Sequence, residues 1–209
     1  MNLKKAVEVY KKEGMHGLLG RCRKIFYVKT HIFRFDLLRQ EIRQKESVCQ
    51  VALLNQQVLD LLRNAYNTEM PQEKYEQLCN RLRDGSTDKV YIAIDPQNQI
   101  HGYYCVSYGE NFDITMNYKI LNEPNNLFLF DGYTFKKFRN KGVGSYAVRA
   151  LLKELKDKGY STISTMVDEG NVYPEKGLKT IGFRHSGTIY RINLFFNKYN
   201  IKINKKKKK

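Results

Sequence analysis

The chain has 209 residues, of which 42% are hydrophobic and 28% are charged, and it contains fifteen Tyr and eleven Phe. This apolar and aromatic content is sufficient for a packed core, which excludes disorder throughout. No apolar run approaches the ~20 residues of a membrane-spanning helix, and the N-terminus is charged where a secretory signal would be apolar. The composition therefore predicts a cytoplasmic-type protein with one domain, or one domain plus an appendage.

The net charge of +16 is concentrated at the two ends of the sequence. Residues 1–45 hold twelve Lys and Arg against four Asp and Glu, and residues 198–209 hold seven Lys and no acid. The intervening 46–197 segment is nearly neutral, with eighteen basic and seventeen acidic residues. A protein that binds nucleic acid is expected to carry its charge on the folded body, so this charge distribution argues against a nucleic-acid partner.

The four cysteines stand at positions 22, 49, 79 and 105 and include no C-x-x-C pair. That spacing is typical of free thiols in a reducing compartment rather than of a disulfide framework or a zinc site. We therefore expect no metal.

Residues 3–45 are predicted to be helical. From Leu18 onward, apolar positions alternate with Arg and Lys, which indicates a basic amphipathic surface. Such a surface suits peripheral contact with an anionic membrane, together with the lysine-rich tail. It also suits an extra helix packed on the protein with its charges in water, and the sequence leaves both interpretations open.

The rest of the chain alternates helical and period-two patterns. Helices are predicted over 51–65, from Pro71 to about residue 82, over 144–158 and over 172–180, and strands over 90–94, 100–108, 127–135, 161–167 and 183–193, the last continuing toward residue 199, with a short strand at 113–118. The first two long strands form a hairpin around an Asp-Pro-Gln-Asn turn. This order predicts an α/β fold with a mixed sheet flanked by helices.

The turn Arg139-Asn140-Lys141-Gly142-Val143-Gly144 lies between a predicted strand and a predicted helix. Its glycines allow a tight backbone that exposes N–H groups at a helix N-terminus, where the dipole favours anions. Nearby lysines add positive charge, so the segment predicts a phosphate or pyrophosphate site. A solvated basic loop is the simpler alternative.

Two standard phosphate motifs do not fit this turn. A Walker loop requires G-x-x-x-x-G-K-[ST], which the sequence lacks, and a dinucleotide fold requires G-x-G-x-x-G early in a βαβ unit. The turn instead resembles the R/Q-x-x-G-x-G/A motif of the GNAT superfamily of acetyl-coenzyme A-dependent N-acetyltransferases. Downstream, Val167-Asp168-Glu169-Gly170-Asn171 and Leu178-Lys179-Thr180-Ile181-Gly182-Phe183 resemble the same family's strand, Asn, short helix and Gly-Phe ending. The resemblance covers roughly residues 50–195.

This resemblance implies a mostly antiparallel central sheet and acetyl-coenzyme A (acetyl-CoA) as the acyl donor. It also implies a set of cofactor-binding positions. The strand before the turn would pair with the pantetheine arm through Tyr133, Thr134 and Phe135. The turn would hold the pyrophosphate through Arg139, Asn140, Lys141, Gly142, Val143, Gly144 and Ser145. Asn171 matches a position that contacts the cofactor, although an Asn there is equally suited to capping a helix.

The catalytic residues are less clearly marked. The family often places a Tyr as general acid four residues before the closing Gly-Phe, where this sequence has Leu178. Tyr173 is the alternative acid, with a packing role as the competing interpretation. Asp131, the only carboxylate in its apolar strand, is the candidate general base, because apolar neighbours would raise its pKa. It would need a β-bulge to face the site, and otherwise accepts a structural hydrogen bond.

His185 and His101 are weaker candidates for the base.

We divide the chain into a basic extension at 1–45, an acetyltransferase domain at 46–197 and a disordered tail at 198–209. The expected function is acetyl transfer to a primary amine of a small molecule, with an amino sugar of envelope polysaccharides as the first candidate. The alternatives are a protein or peptide N-acetyltransferase and a non-catalytic module on the same fold that binds anionic membrane or nucleic acid.

Overall fold

A computed structural model describes residues 11, 14–15, 27–42, 49–109, 111–113, 118–120, 125–194 and 197–204. The strands are β1 (Tyr27–Asp36), β2 (Gln50–Leu53), β3 (Asp88–Ile94), β4 (Ile100–Ser107), β5 (Asn111–Asp113), β6 (Tyr118–Ile120), β7 (Asn126–Thr134), β8 (Thr162–Asp168), β9 (Arg184–Leu194) and β10 (Asn197–Asn204). The helices are α1 (Gln56–Ala65), α2 (Gln72–Arg81), α3 (Val143–Asp157) and α4 (Val172–Ile181), with a single 3₁₀ turn at Lys136–Phe138.

Eight strands form one sheet in the order β10-β9-β1-β8-β7-β4-β3-β2, and β5 and β6 form a separate hairpin. Every neighbouring pair in the large sheet is antiparallel except β7 and β8, which are parallel. The predicted α/β fold with a mixed, mostly antiparallel sheet is confirmed. The crossover between the two parallel strands is α3, as a parallel connection requires.

The helices cover both faces of the sheet. On one face, α3 buries Ala147, Val148, Leu151, Leu152 and Leu155, which recur at helical spacing and pack with apolar residues of β1, β4, β7 and β8. On the other face, α1 and α2 pack against β3, β4 and the end of β7. The sheet therefore separates an α3/α4 side from an α1/α2 side.

Short-range signals explain where the helices begin and end. The Asn55 side chain accepts a hydrogen bond from the Val58 amide at 2.9 Å and caps α1. Pro71, which has no N–H to satisfy, occupies the N-cap of α2. Gly182 ends α4 with φ of +117°, and its amide donates to Leu178 and Lys179, a left-handed stop that favours glycine.

Strand β1 corrects the prediction of a helix over 3–45 for residues 27–36, whereas residues 11, 14 and 15 are helical. Residues 12–13, 16–26 and 43–48, which include the first part of the predicted amphipathic surface, lie outside the described residues. Residues 27–36 lie in the middle of the sheet, with Ile32 opposite Met166 of β8 and opposite Gly187 of β9. Thr30, Ile32, Phe33 and Phe35 are all buried, because both faces and both edges of this strand are covered. β-branched and aromatic side chains favour that environment, and a strand buried on both faces shows no simple alternation. The domain boundary at residue 46 therefore cuts off a central strand.

Three smaller predictions also need correction. The helix predicted over 51–65 is split, since residues 50–53 form β2 and the helix begins only after Asn55. The tail predicted to be disordered from residue 198 forms β10 through residue 204. The short strand predicted over 113–118 is replaced by the β5–β6 pair, and residues 114–117, 1–10 and 205–209 lie outside the described residues.

The remaining predicted elements are found within a few residues of their expected positions: the β3–β4 hairpin, the Pro71 helix, β7, α3, β8, α4 and β9. Within the described ranges, no helix is long and apolar enough to cross a membrane.

Candidate active site

A gap opens in the sheet between the two parallel strands. β7 and β8 pair only from Asn126↔Thr162 to Leu129↔Thr165. Beyond that point β7 continues along β4 to Thr134, and β8 continues along β1 to Asp168. The facing backbone edges of the two strands are therefore separated from one another past Leu129, and an extended ligand can hydrogen-bond to them.

A β-bulge in β7 lies at the mouth of this gap. The register with β4 runs Cys105↔Phe130 and then Tyr103↔Tyr133, so Asp131 and Gly132 together lie opposite Tyr104 and β7 has one extra residue. Asp131 has φ of +47°, in the left-handed region that non-glycine residues seldom occupy. The bulge that the sequence analysis required is present, and it brings Phe130 and Tyr133 onto the same, α1/α2 side of the sheet.

The turn before α3 presents backbone amides to solvent. Buried Phe138 and Val143 anchor its two ends, while Asn140 and Gly142 adopt positive φ of 62° and 72°. The amides of Ser145 and Tyr146 donate to the Gly142 carbonyl. In the described part of the chain, no backbone acceptor pairs with the amides of residues 140–144. Unpaired amides at the N-terminus of a 15-residue helix form an anion site.

Gly144 leaves little space for a side chain where this turn meets β7. A Cβ atom on Gly144 would lie 3.3 Å from Thr134 Oγ1 and 3.6 Å from Tyr104 Oη. Those two hydroxyls are themselves 3.2 Å apart and hydrogen-bonded. Burial raises the pKa of Tyr104 to about 12, so its hydroxyl stays protonated as a hydrogen-bonding group. The second glycine of the motif thus lets helix α3 sit directly against the strand.

Of the three predicted pantetheine-binding residues, Thr134 is the one whose backbone faces the gap. The Phe135 amide donates to the His101 carbonyl on the β4 side. Because backbone polar groups alternate sides along a strand, those of Thr134 point away from β4. The Thr134 carbonyl accepts a 2.9 Å hydrogen bond from Nε of Arg139, so the arginine lies along the strand rather than over the turn.

Glu69 joins the strand to the turn and was missed from the sequence. Its Oε2 atom accepts hydrogen bonds from the Tyr133 hydroxyl and from the Lys136 amide, each at 2.9 Å. Burial acts to raise the pKa of Glu69, but these two hydrogen bonds, together with the positive charges of Lys136 and Arg139, hold the pKa below its ordinary value. The Arg139 guanidinium lies 4.9 Å from the centre of the Tyr133 ring. No local motif marks Glu69, because its partners are more than sixty residues away.

Asp131, the predicted base, lies between two cations rather than among apolar groups. Lys74 Nζ lies 3.0 Å from Oδ1 and 3.1 Å from Oδ2, and Arg81 Nη1 contacts Oδ2. Lys74 and Arg81 are seven residues apart on α2, so they share one face of that helix. That spacing is the only sequence signal that places the two together. The expectation of an isolated carboxylate in an apolar setting is therefore wrong.

The predicted residues on and around α4 are placed differently. Tyr173 lies on the first turn of α4 with 89% of its surface exposed, and Leu178 packs into the core. Asn171 occupies the N-cap position, but its side chain makes no capping hydrogen bond, so it is available to a ligand at the end of β8. The roles of Asn171 and Tyr173 stay predictions.

The two weaker histidine candidates have structural partners. His101 Nε2 lies 2.8 Å from Asp95 Oδ2, and its ring stacks on Phe138 with centroids 4.1 Å apart. His185 lies on the α3/α4 side, 3.3 Å from His31 and 3.1 Å from Thr188 Oγ1. Neither lies at the bulge. In the described ranges, no three His, Cys, Asp or Glu side chains come together as metal ligands.

A sheet that parts between two parallel strands, beside an amide-lined turn on a helix N-terminus, is the arrangement expected of an acyltransferase that takes a coenzyme A thioester. The model of the Acetyltransferase (GNAT) family matches residues 55–178, well over half of the chain. The chain therefore belongs to the GNAT family of N-acetyltransferases, whose acyl donor is acetyl-CoA.

Solved structures agree with this fold. A functionally unknown conserved protein from Staphylococcus epidermidis ATCC 12228 aligns with a TM-score of 0.54 at 12% identity, over 90% of this chain and 77% of that chain. A GCN5-related N-acetyltransferase from Sphaerobacter thermophilus aligns with a TM-score of 0.53 at 9% identity. The alignment covers 92% of this chain and 58% of the Sphaerobacter chain. No curated protein matches the sequence.

Proposed function

We propose that this protein transfers an acetyl group from acetyl-CoA to a primary amine of a small molecule. The observation that carries the proposal is the loss of pairing between β7 and β8 after Leu129↔Thr165, directly beside unpaired amides at residues 140–144. The pyrophosphate of the donor would occupy the turn, and its pantetheine arm would extend along the open edge of β7. Arg139, Lys141 and Ser145 would supplement the backbone amides.

Binding of the pantetheine arm would change one contact. The Thr134 carbonyl, the acceptor that faces the gap, is hydrogen-bonded to Arg139 Nε at 2.9 Å. A pantetheine amide that donates to this carbonyl would replace that bond and release the guanidinium. Arg139 is exposed, with the anion site one residue away, so the released cation would pair with the pyrophosphate.

In the reaction, the lone pair of the acceptor nitrogen attacks the thioester carbonyl carbon. The N–C bond forms, the C–S bond breaks with its electron pair going to sulfur, and the amine proton leaves to water. The donor turn lies past the C-terminal end of β7, and the acceptor would approach the gap at the bulge in β7, where α2 packs. There Asp131 already holds Lys74 and Arg81. We propose that Asp131 positions these cations, and that the amine binds as its free base.

An amino sugar is our first candidate acceptor, supported by the partly exposed polar groups beside Asp131 rather than by any relative. Contact of the basic ends with an anionic membrane stays a proposal, supported by their charge alone. Salt-sensitive binding to anionic vesicles that is lost on removal of residues 205–209 would test it.

The direct experiment measures thiol release from acetyl-CoA by the purified protein with a panel of amines. The panel contains amino sugars, simple alkylamines and peptides with free α-amino or lysine amines. We expect turnover that saturates with one or more small amines and exceeds thioester hydrolysis without acceptor. Preference for peptide amines would replace the small-molecule proposal, and absence of turnover with retained coenzyme A binding would favour a non-catalytic module.

A further inference from the structure

The cluster of Lys74, Arg81 and Asp131 lies at the bulge in β7, on the α1/α2 side of the sheet. Its three side chains are 26%, 18% and 21% exposed, so they are neither buried in the core nor free in solvent. Arg81 lies over the Phe130 ring, 4.8 Å from its centre, and its Nη1 atom also contacts Cys105 Sγ at 3.1 Å. These packing contacts fix the guanidinium next to the bulge.

The contacts within the cluster are unbalanced. Two cations share one carboxylate, and although Asp88 also acts electrostatically on Arg81, no ion pair joins those two residues in the described structure. Arg81 uses only Nη1 in its hydrogen bonds there, while its Nε and Nη2 atoms have no acceptor in the described part of the chain. A guanidinium edge with two parallel donors matches a carboxylate or a phosphate.

The cluster lies close to the opening of the gap between β7 and β8, where the reacting atoms would meet. Asp131 follows Phe130 and Leu129 directly, and Leu129 is the last residue of β7 that pairs with β8. The cluster therefore lies within two residues of the opening of the gap, on the face opposite α3. The turn at 140–144 follows the far end of β7, after Thr134, and would hold the phosphates of the donor there. An anionic group bound at the cluster would therefore belong to the acceptor.

We propose that the acceptor carries a carboxylate or phosphate close to its reacting amine, and that Arg81 and Lys74 bind this acidic group. The inference rests on the proposed acetyl transfer and narrows its substrate class to acidic amines, such as amino acids or amino sugar phosphates. Asp131 has a positioning role in it, because it holds both cations at the bulge.

The test compares acceptors that differ only in the acidic group: an amino acid with its decarboxylated amine, and a hexosamine phosphate with the free hexosamine. We expect kcat/KM to favour the acidic member of at least one pair by roughly tenfold or more, mainly through KM, since hydrogen bonds to charged groups are among the stronger ones. In Arg81→Met this ratio should fall several-fold, and Lys74→Met should lower it less. Arg63→Met is the matched control, because Arg63 on α1 stacks on Tyr75 and makes no ion pair with Asp131 in the described structure.

A second readout covers the case in which Arg81→Met fails to fold. An acid without the amine, such as propionate or a sugar phosphate, should inhibit the wild-type enzyme competitively against the acceptor and not against acetyl-CoA, and Arg81→Lys should weaken that inhibition. Equal turnover of acidic and neutral amines, with no such inhibition, would overturn this inference alone. No turnover of any amine would instead overturn the proposed function.

Discussion

Gly142 determines the shape of the anion site, because its φ of +72° allows the tight turn whose five amides, at residues 140–144, have no backbone acceptor in the described part of the chain. We expect Gly142→Asp to abolish the rise in melting temperature that coenzyme A produces, since it places a negative charge where the pyrophosphate binds. The measurement is a thermal shift titration with coenzyme A.

Gly142→Asn is the matched control for that change. Asn tolerates positive φ about as well as Asp and has nearly the same shape, so both variants should lose similar intrinsic stability. Only the charged side chain should remove the coenzyme A response. A full response in Gly142→Asp would place the phosphates elsewhere.

Asp131 could act as a general base or could position Lys74 and Arg81, and the variant Asp131→Asn distinguishes these two roles. Asp131→Asn keeps the bulge, since Asn also accepts positive φ, but loses both ion pairs. We expect the free energy of unfolding to fall by about 1–3 kcal/mol and KM for the acceptor to rise. The wild-type pH dependence of kcat should remain. A fall in kcat of roughly 10²–10⁴-fold with an altered pH profile would instead identify a general base.

The buried thiols give a prediction with a defined pH range. Burial raises the pKa of Cys49 to about 11 and that of Cys105 to about 12, from an ordinary value of 9.0. At pH 8 we expect iodoacetamide to label Cys79, which is only half-buried, well before these two in the native protein. Because both pKa values are raised, the stability from neutral thiols is present below about pH 9 and is lost as pH rises toward 11 and 12. Peptide mapping by mass spectrometry checks the order, and early labelling of Cys105 would contradict it.

At the scale of elements, β1 makes the residues before the family match part of the sheet. Phe33 is 1% exposed between β8 and β9, so Phe33→Ala should lower the free energy of unfolding by about 3–5 kcal/mol. Leu38→Ala is the control, because Leu38 is 63% exposed just past the strand, and it should change stability by no more than about 0.5 kcal/mol. Urea denaturation measures both. Similar effects for the two variants would mean that β1 is not central.

Elements with local signals were predictable from the sequence, and those defined by distant partners were not. The apolar stripe of α3 and the turn of the β3–β4 hairpin are both defined by residues that are close together in the sequence. β1 is a strand because β8 and β9, more than 120 residues away, cover both of its edges. β2 was hidden in the same way, since four residues paired with β3 continue directly into the pattern of α1.

For the whole molecule, the site residues also fall into two groups: those marked by a local sequence pattern and those defined by distant partners. The phosphate turn was predictable because a glycine pattern between a strand and a helix defines its backbone locally. The sequence predicted Tyr133, Thr134 and Phe135 together as pantetheine-binding residues. It could not single out Thr134, because pairing with β4 determines which backbone carbonyl faces the gap. Glu69, Lys74 and Arg81 reach the site from α2 and the loop before it, and their roles depend on how the helices pack over the bulge.

The central claim is that coenzyme A binds across the gap between β7 and β8 with its phosphates on the turn before α3. Hydrogen–deuterium exchange of the full chain with and without coenzyme A tests it most directly, because amides at 140–144 that lack protein partners should exchange rapidly in the free protein. The account predicts that coenzyme A slows exchange at 140–144 and along the open edge of β7 near Thr134, with little change in β2 or β10. Unchanged exchange at the turn under saturating coenzyme A, or protection confined to another surface, would contradict it.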